Sequence, residues 1–318
     1  MAKRCKVLFL YRSSGGYLES TLMRGFQLCE LAREHLGDRY DFAMRAVPNL
    51  QRLRIEAAWI AMQPKRAIFL YVKDVVDRFS PEGLRRMQAR SAGTALDYVD
   101  RHLHIMPHQG IDLHISASLS GVDAMRARLR ETAETPNVIK GDVACLLHGA
   151  DLRIHKLPKV SHDGFRPVYF GSPHVTTIPQ ALQERLEVID ATTIEKMAEN
   201  YRSVAGYNFH YAVRQIVEYP HIRGRKPLTK AVTAAVLGAN VLTHADEDDA
   251  LPLLGPDYPF MTCSTDHGEI LEMMARAERE FGGPVWDKAR SQMEALASRV
   301  SFKAQMDDLE AILKRLAG

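Results

Sequence analysis

The sequence predicts an α/β protein of two parallel-sheet domains, and three observations predict it. The chain has 318 residues, too many for one small core and enough for two domains of roughly 150 residues each. Short apolar runs alternate with amphipathic stretches along its length, the pattern left by successive βα units. One polar stretch containing Pro and Gly, residues 156–166 (K-L-P-K-V-S-H-D-G-F-R), has neither helical nor strand periodicity. The predicted division is therefore 1–160 for the first domain and 161–300 for the second, with 301–318 as a closing helix.

In order along the chain, strands are predicted at 5–11, 41–47, 66–72, 112–117 and, more weakly marked, 143–147, with a prominent helix over 18–36. The run Val7 to Tyr11 is too short to span a membrane and is followed by no cleavage pattern, so it reads as a first buried strand. In the second half the strands fall at 167–170, 186–189, 208–213, 240–243 and 259–263. The last helix, 301–316, carries Phe302, Met306, Leu309, Ile312, Leu313 and Leu316 at helical spacing, so one face must pack on something.

Composition narrows the function. With 46% apolar and 25% charged residues the chain is an ordinary folded protein. A formal charge of only +3 argues against nucleic acid as a partner. No transmembrane segment is predicted, which leaves peripheral membrane contact open. Cys5, Cys29, Cys145 and Cys263 are scattered without C-x-x-C spacing, as expected of a reducing, cytoplasmic setting.

The most informative stretch is 223–243, R-G-R-K-P-L-T-K-A-V-T-A-A-V-L-G-A-N-V-L-T. Pro227 suits a first helical position and Gly238 a left-handed cap, and Val241-Leu242 then resumes as a strand. On that reading Lys226 and Lys230 share a helical face, with Arg223 and Arg225 just upstream. Cations at a helix N-terminus are unfavourable by about 0.3–1 kcal/mol each. An anion meeting free backbone N–H groups and these cations together reverses the sign. A diphosphate fits; a solvated basic surface is the alternative. Upstream, N-F-H-Y-A-V-R alternates as a strand and places Arg214 at its C-terminal end, the edge where open α/β sheets bind ligands. Arg214 as a salt-bridged strand terminus is the other reading.

The block N-F-H-Y-A-V-R, then R-K-P-L-T-K-A-V-T-A-A-V-L-G-A-N-V-L-T, then L-L-G-P-D-Y-P-F, residues 167–260 in all, resembles the donor domain of GT-B glycosyltransferases. The resemblance implies two Rossmann-like domains facing across a cleft, with the C-terminal helix crossing back to the N-terminal domain. It implies a nucleotide diphospho-sugar as donor substrate, a glycan or small-molecule acceptor on the first domain, and no catalytic metal or other cofactor. It also implies that Arg214 and Lys226 hold the donor diphosphate, with Lys230 and Thr229 as further contacts. Gly171 and Ser172, after the first strand of the second domain, and Gly15 and Gly16, in R-S-S-G-G-Y, would line the cleft. Gly15 and Gly16 equally suit a plain strand-to-helix turn. K-P-x-x-K stands where the family's E-x7-E motif is expected, which leaves the donor sugar and base open.

No base is singled out by the sequence. Asp74, His108, Asp112 and His148 lie near the ends of first-domain strands and are the candidates if the transfer inverts. The pair His102 and His104 matches no zinc spacing, and the acids Asp246 to Asp249 are accounted for by the dipole of the helix they precede. Two other functions fit the scaffold: a nucleotide-sugar 2-epimerase, and a non-catalytic nucleotide- or carbohydrate-binding protein.

Overall fold

A computed structural model describes residues 4–13, 19–214 and 225–318. The apolar runs form two all-parallel sheets. The first contains β1 (Cys5–Arg12), β2 (Tyr40–Val47), β3 (Ile68–Val72), β4 (Gly93–Asp97), β5 (Leu113–Ser116) and β6 (Asp142–Cys145), in the order β2-β1-β3-β4-β5-β6. The second contains β7 (Pro167–Gly171), β8 (Glu187–Asp190), β9 (Phe209–Tyr211), β10 (Asn240–His244) and β11 (Met261–Thr262), ordered β11-β10-β9-β7-β8. Strand β4 was not expected. Its sequence, G-T-A-L-D, lacks the β-branched and aromatic density that marks a strand.

Each sheet is the centre of its own compact unit. The first unit runs through Leu147 and includes Phe302–Gly318, and Arg225, Lys226 and Pro227 also group with it; the second holds His148 to Arg214 and Leu228 to Ser301. The chain thus leaves the first unit after Leu147 and not after residue 160. The intervening residues are tied to the second unit, since the Val160 N–H donates to the Leu237 carbonyl at 2.9 Å.

Both faces of the first sheet are buried, as an all-parallel sheet requires. One core gathers Phe69, Tyr71, Trp59, Leu84, Met87 and Met125. The other packs Val7, Phe9, Ile68 and Leu70 against the helix Leu28–Leu36 and against Met306, Leu309, Ile312, Leu313 and Leu316 of the closing helix Phe302–Ala317. The apolar stripe of that helix therefore completes the first unit. Its approach is close enough that a Cβ at Gly93 would lie 2.5 Å from the Leu316 carbonyl oxygen.

In the second unit the helix Thr229–Leu237 covers β9 and β10, and it stops where the sequence says it should. Gly238 is left-handed (φ 81°, ψ 20°), and its N–H meets the carbonyls of Ala234 and Ala235. Its start is a correction: the helix begins at Thr229 with Leu228 as N-cap, so Pro227 precedes the helix. Lys226 therefore does not share a helical face with Lys230.

Candidate functional site

In an open parallel sheet the ligand edge is the C-terminal one, at the point where strand order reverses. In the second sheet that point lies between β7 and β9, and the sequence has loaded it. β7 runs out into Gly171 (φ +153°), where a Cβ would sit 3.0 Å from Lys230 Cε. The Lys230 ammonium stands 5.3 Å from the centroid of the Tyr169 ring, a cation–π distance. Tyr169 donates its hydroxyl hydrogen bond to the Ser172 carbonyl. Burial pushes its phenol up to about 12, against the hydrogen bond to Thr176 and the nearby charge of Arg214.

Lys230 is the second residue of the Thr229–Leu237 helix, whose N-cap, Leu228, makes no side-chain cap. The helix start lies at the positive end of the helix dipole. Arg214 follows β9 and pairs across to Thr176, whose hydroxyl donates to the Val213 carbonyl at 2.7 Å. Its guanidinium is ion-paired with Glu247, and the two side chains are 14% and 4% exposed. His244, at the end of β10, places Nε2 3.4 Å from the other Glu247 oxygen. Burial lowers the His244 pKa, outweighing the opposing charge of Asp246, so the ring is neutral at physiological pH.

Gly171, Ser172, Thr229, Lys230 and Arg214 are thus brought to one edge of one sheet. Lys226 groups instead with the first unit, where its charge helps to hold Asp100 ionised. Gly15 and Gly16 lie outside the described residues. Glu247 was missed as a partner of Arg214. The acids Asp246 to Asp249 are not simply dipole-stabilised, because Asp249 is a left-handed N-cap without a side-chain cap and Glu247 turns inward.

The candidate bases separate by position. Asp112 precedes β5, at the N-terminal edge of the first sheet, and its carboxylate accepts from the Thr94 N–H (2.7 Å), the Thr94 hydroxyl (2.8 Å) and Gln88 (2.5 Å). It staples strands. His108 is exposed in the loop leading into the same strand, also at the N-terminal edge. His148 is buried in the second unit with Nδ1 2.8 Å from the Gly149 carbonyl. Asp74, just past β3, lies at the C-terminal edge of the first sheet, and it is ion-paired with Arg101 at 2.8 Å.

That edge holds groups which the sequence reading passed over. A π-helical segment, Leu22–Gln27, carries the buried Arg24, whose Nε donates to Asp97 at 2.8 Å and whose terminal nitrogen donates to the Leu147 carbonyl at 3.1 Å. The Asp97 carboxylate accepts in turn from the N–H of Val99 at 3.3 Å. Val99 is left-handed (φ 56°), a strained conformation for a β-branched residue. Lys73 is also left-handed (φ 50°), and its ammonium meets Asp100 at 2.7 Å. Burial raises the Asp100 pKa, but Lys73 and Lys226 overcome it and hold the carboxyl below its usual range. The signal available in the sequence was K-D-V-V-D-R and D-Y-V-D-R directly after apolar runs. Among the described residues no cluster of His, Cys, Asp and Glu could hold a metal ion, and no helix is long and apolar enough to cross a membrane.

No family model matches the chain, and no curated protein matches it in sequence. Solved structures match it over nearly its whole length. A glycosyltransferase from Rickettsia africae covers 98% of both chains with a TM-score of 0.65 at 7% identity. The chain has the GT-B fold. The other GT-B structures similar to it include Anabaena HepE in complex with UDP, at 13% identity and a TM-score of 0.57, with 98% of this chain and 100% of that one covered. Sucrose-phosphate synthase from Thermosynechococcus elongatus has a TM-score of 0.57 at 10% identity, covering 98% and 99% of the two chains. At such identities the likeness is one of GT-B architecture, and chemistry must be argued from side chains.

Proposed function

We propose that this GT-B protein is a metal-independent glycosyltransferase that moves a hexose from a nucleoside diphosphate sugar to a glycan or glycoconjugate acceptor. The observation that carries the reading is the switch point of the second sheet. There the start of the Thr229–Leu237 helix, Lys230 and Arg214 offer backbone N–H groups and two cations to a diphosphate. Gly171 leaves room for close approach. As the bond to the sugar breaks, negative charge grows on the departing phosphate, and groups already in place stabilise it more than they stabilise the ground state. The acceptor is assigned to the first unit, where Asp74 is a sequence candidate at the C-terminal edge. Four cysteines without disulfide spacing support a cytoplasmic setting.

HepE was crystallised with UDP and with UDP-glucose, so UDP is the first ligand to test. Calorimetry with UDP, GDP and ADP, followed by turnover of the matching sugar donor over an acceptor panel, tests the proposal. Acceptor-dependent loss of donor is expected. Donor conversion without acceptor would replace the reading with an epimerase, and binding without turnover would reduce it to a binding protein.

A further inference from the structure

Arg214 is one of the cations of the proposed diphosphate site, and its guanidinium has a carboxylate partner. Its guanidinium is ion-paired with Glu247, a carboxylate 4% exposed that lies deeper than the arginine it holds. An acid buried beside an anion site is a contradiction unless it serves the arginine, because its charge repels the ligand directly. Its described neighbours in the same loop do not neutralise it. His244, with Nε2 at 3.4 Å, is kept neutral by burial, and the adjacent charged side chains of the same loop, Asp246 and Asp248, are acidic. Among the described residues Arg214 is the cation paired with Glu247. Arginine also has five N–H donors in a rigid fork, so one edge can stay on a carboxylate while another faces a phosphate.

We infer that Glu247 is a positioning residue, fixing the Arg214 guanidinium so that its remaining N–H groups are aimed at the donor diphosphate. This rests on the reading of Arg214 as a diphosphate contact. The gain is preorganisation: a long, rotamer-rich side chain is ordered before the ligand arrives, so binding does not have to order it.

The sign of one substitution separates this from simple charge repulsion. Glu247→Gln removes a negative charge at constant shape. If Glu247 only repelled the ligand, nucleoside diphosphate affinity by calorimetry would rise. If it positions Arg214, affinity falls, by about tenfold, the scale of one charge-assisted contact. Glu247→Asp keeps the charge but withdraws it by one methylene, and it should weaken binding as well, which separates lost geometry from lost charge. In an Arg214→Ala background, Glu247→Gln should produce no further loss. Circular dichroism and thermal melts establish that each variant is folded. Tighter binding by folded Glu247→Gln, or an equal loss with and without Arg214, overturns the inference and leaves the diphosphate site standing. If the unsubstituted protein binds no nucleoside diphosphate, or Arg214→Ala binds as well as the parent, both fall together.

Discussion

Leu309 is fully buried in the closing helix, within the core of the first unit. Truncating it to alanine removes the side chain's burial and leaves a cavity between that helix and the sheet, a change that costs about 2–5 kcal/mol. With a urea dependence of about 1–3 kcal/mol/M, the unfolding midpoint of the first unit should fall by on the order of 1–2 M. The protein contains its own assay. It has two tryptophans, Trp59 in the first unit and Trp286 in the second, each buried. In a Trp286→Phe background the fluorescence of Trp59 follows the first unit, and in a Trp59→Phe background Trp286 follows the second. Leu309→Ala should move the Trp59 transition and leave that of Trp286 nearly in place. A shift confined to Trp286 would mean that the helix stabilises the other unit, and no shift in either would mean that the buried stripe contributes nothing.

Lys230→Ala should weaken nucleoside diphosphate binding by about tenfold to a hundredfold, the loss of one charge-assisted hydrogen bond, with an unchanged melt; calorimetry decides, and unaltered affinity removes Lys230 from the site. Asp97→Asn strands the buried Arg24 charge and should cost the first unit about 3–5 kcal/mol, read from the Trp59 transition, whereas Arg24→Met with Asp97→Leu should recover most of it. His210 is fully buried, and burial lowers its pKa to about 3, so the proton prefers the unfolded chain. Its contribution to stability is therefore complete above about pH 6.5 and is lost at about 1.4 kcal/mol per pH unit as the pH falls towards 3. The Trp286 transition should show that slope between pH 6.5 and 5, and His210→Leu should flatten it.

Much of the fold was legible because it is written in local chemistry. Apolar runs marked ten of the eleven strands among the described residues, Gly238 marked a helix end, and the stripe from Phe302 to Leu316 announced a buried face. What escaped depended on partners far away in the chain. β4 is identified by the strands beside it more than by its own residues. Pro227 satisfies the rules for a first helical position, yet the helix starts at Thr229, and Lys226 goes with the other unit. Asp112 was visible as an acid near a strand, but not as an acid at the wrong end of that strand. Glu247 sits in a run of acids whose only local explanation was a helix dipole, and its partner Arg214 comes from a different strand. The π-helical turn that buries Arg24 has no sequence signature of its own.

The division of the chain bears on how the protein is made. The first unit owns residues through Leu147 and then Phe302–Gly318, so a ribosome must complete the whole second unit before it supplies the helix that shares in covering one face of the first sheet. At 5–20 residues per second that interval is roughly ten to thirty seconds. During it Val7, Phe9, Ile68 and Leu70 lack the cover that Leu309 and Leu313 later provide. The second unit can close before the first is whole. The nascent first unit must wait with part of an apolar face open, and this is the period in which a chaperone, or a neighbouring copy in the same state, has access to it.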